Sequence, residues 1–264
     1  MSIRRNPLSG DPILFVPERA ARTHAFAGSR DEARCPFCAG HESDTPPEIL
    51  RVGDPWRVRV VPNKYPPAPG AEVIIESADH DAQFGEHAEE AVRVYAERQR
   101  AHADAAYVAI FKNEGAAGGS SIAHLHSQLV PLPFVPPRIE RERAGFARGC
   151  PLCEIQGNVI RETGAFTWLT PEASSFAYQQ WIVPKRHHGG IAESNDGELA
   201  ELAALLRSAS EAMPGHAYNW MFVNTPHFYV DVFPRLTTIA GLELGTGTFV
   251  EIIDPAAAAE RLRR

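Results

Sequence analysis

Residues Phe111 to Pro131 read FKNEGAAGGSSIAHLHSQLVP. An apolar run from Ala105 to Phe111 enters this stretch as a strand. A loop of small residues follows Asn113, with Gly115, Gly118 and Gly119 among alanines and serines. Such a loop is too flexible for a helix interior and suits close approach of backbone N–H groups to an anion. His124-Leu125-His126-Ser127-Gln128 comes next. Side chains two apart in a strand share a face, so His124, His126 and Gln128 are expected to point one way. Two imidazoles and an amide beside a small-residue loop form a phosphate-handling arrangement, with an imidazole as the candidate nucleophile.

The block from Asn113 to Gln128 resembles the active-site segment of the galactose-1-phosphate uridylyltransferase-like proteins, the transferase branch of the histidine-triad superfamily. It has the same spacing from the Asn through the glycines to the second His. Hydrolases of that superfamily tend to carry a third His where this chain has Gln128. The resemblance implies that His126 is the nucleophile and Gln128 its partner, with Asn113, Gly118, Gly119, Ser120 and Ser121 around the substrate. It implies a nucleotidyltransferase acting on a nucleotide sugar and a sugar 1-phosphate.

The totals fit such a protein. A chain of 264 residues, 44% hydrophobic and 22% charged, can bury a core of one large or two ordinary domains. A net charge of −7 disfavours coating nucleic acid but not a pocket for a small anion. No apolar run reaches membrane-spanning length, and MSIRRNPLSG lacks the apolar segment of a signal peptide, so no membrane partner is expected and a cytoplasmic location is.

The four cysteines come as Cys35-Pro-Phe-Cys38 and Cys150-Pro-Leu-Cys153. In a reducing compartment that spacing favours metal over disulfide. One four-cysteine site, two sites each completed by histidines, and a redox dithiol are the alternatives. An internal repeat decides among them. Cys-x-x-Cys, strands, His, helix, strand and a second His occur in that order twice. The first pass uses strands at Trp56–Val61 and Ala71–Glu76, then His80, a helix over 86–103 and His124. The second uses Thr167–Pro171 and Gln179–Pro184, then His187, a helix over 195–213, a strand at Asn219–Asn224 and His227. In the first helix Ala88, Ala91, Val92, Tyr95 and Ala96 mark one face; in the second Leu199, Leu202, Ala203 and Leu206 do, behind an Asn195/Glu198 capping box. Two Cys2His2 sets follow: Cys35, Cys38, His80 and His124, and Cys150, Cys153, His187 and His227. With no open position both are structural zinc sites, although the ligands do not exclude iron. His188 competes with His187.

The expected fold is therefore α+β, a tandem duplication of a histidine-triad-like unit, an antiparallel sheet with covering helices and one zinc site per half. A proline-rich and then charged stretch places the boundary near residue 140, giving a catalytic half, 1–140, and a non-catalytic half, 141–264. Laying His124-x-His126-x-Gln128 on His227-x-Tyr229-x-Asp231 shows that the second copy keeps the ligand and lacks the nucleophile.

Further site residues come from the resemblance. The segment holding Arg19 and Arg22, after a turn and a short buried strand at 13–16, resembles the part of the family whose arginines face the substrate phosphates. Pro62-Asn63-Lys64-Tyr65-Pro66 resembles its nucleoside-binding turn, with Asn63 reading base or ribose. The tail, which ends in an alanine-rich helix, resembles the segment that contacts the hexose phosphate, making Glu243 a candidate. Phe249 stands where well-known members have Gln, which puts galactose 1-phosphate as acceptor in doubt. The ADP-glucose phosphorylases look similar in this tail and also carry two Cys-x-x-Cys pairs. Uridylyl transfer to a hexose 1-phosphate is the leading expectation, with ADP-glucose phosphorolysis or nucleotide hydrolysis as alternatives. A zinc-built binding protein is the reading from another class. A homodimer is implied by the resemblance alone.

Overall fold

Strand alternation decides which side of this molecule carries chemistry. The computed structural model describes residues 1–19, 34–155, 157–213 and 217–264. Ten of its strands form one sheet: β3 (Leu50–Val52), β4 (Val58–Pro62), β5 (Glu72–Ile75), β6 (Tyr107–Glu114), β7 (His126–Leu132), β8 (Asn158–Glu162), β9 (Phe166–Thr170), β10 (Gln180–Pro184), β11 (Tyr218–Val223) and β12 (Tyr229–Pro234). Their order is β3-β4-β5-β7-β6-β11-β12-β10-β9-β8, and every neighbour pairs antiparallel. Read inward from either edge, the strands follow the same sequence, with the fourth and fifth of five exchanged. The two halves meet at β6 and β11, so the expected tandem duplication is present as one continuous sheet.

Each half inserts one long helix between its third and fourth strands: α1 (Ala88–Ala101) and α3 (Asp196–Glu211). All five expected apolar residues of α1 and all four of α3 are buried. Asn195 Oδ1 accepts from the Glu198 N–H at 3.0 Å and Glu198 accepts from the Asn195 N–H at 2.8 Å, which completes the capping box. Both helices end a few residues inside the expected ranges, where the last turns fray. They lie on the sheet face that carries Ser127, since the α1 side chain Tyr95 meets Ser127 Oγ at 2.9 Å. His126 and Gln128, one residue to either side, therefore face the other way.

On that opposite face a single cross-strand row runs Val61–Val73–Gln128–Phe111–Met221–Asp231–Trp181. Gln128 and Asp231 lie three strand spacings apart in it, roughly 14 Å. β6 extends beyond the expected strand end at Phe111, so Asn113 is a strand residue.

The N-terminal expectation is corrected. Residues 13–16 are not a buried strand; β1 (Ser2–Arg5) and β2 (Pro12–Phe15) form a separate two-stranded hairpin with Ile3, Ile13 and Phe15 exposed. Apolar composition alone cannot tell a core strand from one half of an exposed hairpin. Three further helices, α2 (Pro137–Gly145), α4 (Gly241–Thr246) and α5 (Pro255–Leu262), complete the elements used below. Position 140 falls inside α2. No helix among the described residues is long and apolar enough to cross a membrane.

Candidate functional site

His126 opens β7 and is buried with Gln128 on the face opposite α1 and α3. Its Nδ1 lies 2.7 Å from the His124 carbonyl oxygen. A carbonyl only accepts, so Nδ1 carries the proton and Nε2 holds the lone pair. Burial holds the His126 imidazole down to about 4, against the pull of the His124 carbonyl, with Lys112 adding to the depression. The ring is therefore neutral at physiological pH, the form in which imidazole can attack.

His126 and Gln128 line a cavity of about 660 Å³. Its other walls are the Cys-bearing segment (Pro36, Phe37, Asp44, Thr45), the turn Pro62–Asn63–Lys64–Tyr65, and Ser121 with Ile122. Phe37 packs edge-on against both His124 and His126, at 5.9 and 5.3 Å between ring centres. The Cys35–Cys38 segment thus also shapes the cavity.

The expected substrate residues divide. Asn63, Ser121, His126 and Gln128 meet in this cavity. Asn63 Oδ1 also accepts from the Tyr65 N–H at 2.9 Å, which shapes the turn. Asn113 and Gly118 line a second cavity, over the other half of the sheet. Gly118 has no room for a side chain: a Cβ there would stand 2.2 Å from the Glu114 carbonyl and 2.8 Å from that of Tyr218. Gly119, at φ +86°, turns the loop, and Ser120 Oγ donates to the Ile122 carbonyl at 2.8 Å. Arg19 donates to the Tyr65 carbonyl from outside the His126 cavity. Arg22 lies outside the described residues. Glu243 accepts from the Ala240 N–H at 3.0 Å, capping its own helix, and lines neither cavity.

Beneath His126, on the helix-covered face, sits a charged group that the sequence reading missed. Lys112, fully buried, donates to Glu76 at 2.6 Å and to the His126 carbonyl at 3.2 Å. Tyr95 and Ser127 also donate to Glu76. A lysine inside the quoted stretch, FKNEG, was the available signal.

Both Cys2His2 sets assemble. In each, the four ligand atoms lie within 4.8 Å of one another and could hold a metal ion. A tetrahedron with metal–sulfur bonds of about 2.3 Å and metal–nitrogen bonds of about 2.0–2.1 Å has a sulfur–nitrogen edge of roughly 3.6 Å. The Nδ1–Sγ separations are 3.4 to 3.7 Å in the first set and 3.3 Å in the second. His124 Nε2 lies 2.9 Å from the Ser77 carbonyl and His227 Nε2 2.7 Å from that of Pro184. Those carbonyls take the Nε2 protons and leave each Nδ1 lone pair aimed at the sulfurs, as metal ligation requires. His188 is not a member of the set. It is buried against Phe228, with Nδ1 3.0 Å from the Gly190 carbonyl.

Comparison with known proteins finds whole-chain relatives of the same fold. No family model matches the chain. It is 28% identical to an ADP-glucose phosphorylase of Arabidopsis thaliana over 322 aligned positions, covering 99% of this chain and 92% of that one. It is 26% identical to a galactose-1-phosphate uridylyltransferase of Thermotoga maritima, covering 100% and 98%. Over its whole length the chain is similar to ADP-glucose phosphorylase and galactose-1-phosphate uridylyltransferase. A crystal structure of an ADP-glucose phosphorylase from Arabidopsis thaliana with bound ADP-glucose superposes on this chain with a TM-score of 0.80 at 26% identity, over 99% of this chain and 98% of that one. A uridylyltransferase structure superposes with a TM-score of 0.82 at 24% identity, which speaks to the fold.

Proposed function

We propose that the protein is a nucleotidyltransferase, moving a nucleoside monophosphate between a nucleotide sugar and a sugar 1-phosphate or phosphate through a nucleotidyl-histidine intermediate. The observation that carries this is His126, buried and neutral, its Nδ1 tied to the His124 carbonyl and its ring in one cavity with Gln128 and Ser121. Nε2 attacks the α-phosphorus and the bond to the sugar 1-phosphate breaks. The acceptor phosphate then attacks the same phosphorus, releasing Nε2, so the kinetics are ping-pong. Charge on the phosphoryl oxygens is met by the Gln128 amide and the Ser121 hydroxyl, with Gly119 and Ser120 shaping the loop that carries Ser121. Gln128 is neutral and cannot act as an acid, which suits holding the intermediate for an acceptor. Arg19, Arg22 and Glu243 remain proposed substrate contacts on the family resemblance.

Half 1–140 carries this chemistry and half 141–264 supports it. Zinc is the metal we assign to both Cys2His2 sets, because four soft and borderline ligands with no open position make a structural zinc site; iron satisfies the same donors. When bound, the ion contributes folding energy by tying each Cys segment to its sheet. Cys35, Cys38, His80 and His124 would hold one ion beside the cavity, and Cys150, Cys153, His187 and His227 the other. The described cysteines form no disulfide, which supports a cytoplasmic location. Exposed Leu242, Leu244, Val250 and Ile252 in the tail support a homodimer.

Uridylyl transfer is the leading reading. Adenylyl transfer is the second, favoured by the 28% identity to an ADP-glucose phosphorylase. Intact-mass spectrometry after mixing with UDP-glucose, UDP-galactose or ADP-glucose, with no acceptor, tests both. The expected result is an acid-labile nucleotidyl adduct, absent in His126→Ala, whose mass names the base. Free nucleotide without an adduct would instead indicate hydrolysis; no adduct and no release would indicate a binding protein.

A further inference from the structure

The duplication leaves a second cavity, of about 850 Å³, at the place related to the His126 cavity. Trp181 pairs with Asp231 as Val73 pairs with Gln128. Leu152 of the second Cys-Pro-Leu-Cys stands where Phe37 stands in the first, and the turn after β9 replaces the turn after β4. A half that served only as scaffold would have no reason to stay hollow there.

The two cavities differ in the part that handles phosphate. Residues 115–123 separate β6 from His124 and include the glycine loop, whereas only residues 224–226 separate β11 from His227. Tyr229 replaces the nucleophile. Asp231 replaces Gln128 and is bound by Arg138 at 2.8 Å and by Gln179 at 2.7 Å. A buried carboxylate at the position of the oxyanion donor repels a phosphoryl group, and its guanidinium partner is already occupied.

The part that suits a flat ring is enlarged. Phe176 stacks on Phe233 at 4.1 Å with 6° between the rings, and Trp181 lies 4.8 Å from Tyr229. Two buried donors of the wall, Trp181 Nε1 and Arg235 Nε, have no partner among the described residues. Aromatic walls stack heteroaromatic rings, and unpaired donors call for ring nitrogens or carbonyl oxygens as acceptors.

We propose that this cavity is a second, non-catalytic binding site for an uncharged planar heteroaromatic ligand of the nucleoside class. Only the assignment of the first cavity to a nucleotide is carried over from the function proposed above. The site has aromatic walls for a ring and lacks the nucleophile, and its polar groups nearest the glycine loop are already engaged: the Gly118 N–H donates to the Gly115 carbonyl at 3.1 Å, Arg138 to Asp231 at 2.8 Å and Arg235 to Asn219 at 3.3 Å.

Equilibrium dialysis of the full chain against adenosine and uridine, with tryptophan fluorescence recorded in parallel, tests this. Binding of at least one nucleoside is expected, with a fluorescence change that disappears in Trp181→Phe. Phe176 is a partly exposed turn residue, so Phe176→Ala should fold, and it should weaken binding by about tenfold or more. The corresponding monophosphate should bind this cavity no more tightly than the nucleoside. Absence of binding at millimolar nucleoside overturns the proposal. So does binding unchanged in both variants, or tighter Phe176-dependent binding of the monophosphate. Nucleoside binding at Trp181 without any adduct on His126 would uphold this site while sinking the transferase reading; an adduct without nucleoside binding would do the reverse.

Discussion

Lys112→Met removes a cation that is fully buried, held at 2.6 Å by Glu76, itself 2% exposed. Breaking a buried pair from one side typically costs about 3–5 kcal/mol, because the remaining charge stays in a poor solvent. Here Glu76 keeps the hydroxyls of Tyr95 and Ser127 as donors, so the loss belongs at the lower end, about 3 kcal/mol. Glu76→Gln is the harsher change. It leaves the ammonium with the His126 carbonyl at 3.2 Å and the half-exposed Glu114 at 3.6 Å, and about 4 kcal/mol is expected. At about 2–4 °C per kcal/mol for a chain near this size, the melting temperature drops by roughly 6–16 °C. The double variant, Lys112→Met with Glu76→Gln, buries no charge at this place. It should recover at least about 1.5 kcal/mol relative to the sum of the single losses. Urea unfolding of the four proteins, with metal content verified, measures the coupling. Single losses below about 1 kcal/mol, or losses that simply add, would refute the reasoning.

The two metal sets should part with their ions at different rates. Cys153 and His187 are exposed, whereas Cys35 and His124 are buried, so a chelator should strip one equivalent per chain well before the second. Cys153→Ser should retain a single equivalent by mass-spectrometric metal analysis, and His188→Gln should retain two. Equal release rates would contradict the difference in access. Gly118→Ala drives a Cβ into two backbone carbonyls that no rotamer change can move. A loss of about 3 kcal/mol or more is expected, together with a displaced 115–121 loop, and a variant of wild-type stability would show that the backbone yields more easily than drawn.

Much of the site could be read from the chain because duplication prints the same constraint twice. The eight members of the two Cys2His2 clusters were identifiable from the repeated Cys-x-x-Cys, His, helix, His order, and the helices from their 3.6-residue face. The exposed β1–β2 hairpin was misread, since Ile13, Leu14 and Phe15 look the same in a core and on a surface. β3 and β8 escaped notice because three residues, Leu50–Val52, or five ending in Arg-Glu show too little alternation. Cross-strand register is not written locally at all. Nothing in the neighbourhood of Asn113 or Gly118 tells that they border the second cavity while Ser121 borders the first; that depends on where β11 docks. The Lys112–Glu76 pair lies 36 residues apart in the chain and meets only through β7.

The seam where β6 pairs with β11 has a further consequence. When two identical chains build a symmetric sheet, each substitution is made at both related positions, and a change useful at one is imposed on the other. Here both positions sit in one polypeptide, so each can be altered alone. The backbone hydrogen bonds across Phe111↔Met221 and Ile110↔Phe222 keep the halves in fixed register whatever the side chains become. That independence is what allows a histidine and a tyrosine to occupy matching places, and it makes either cavity open to redesign without disturbing its twin.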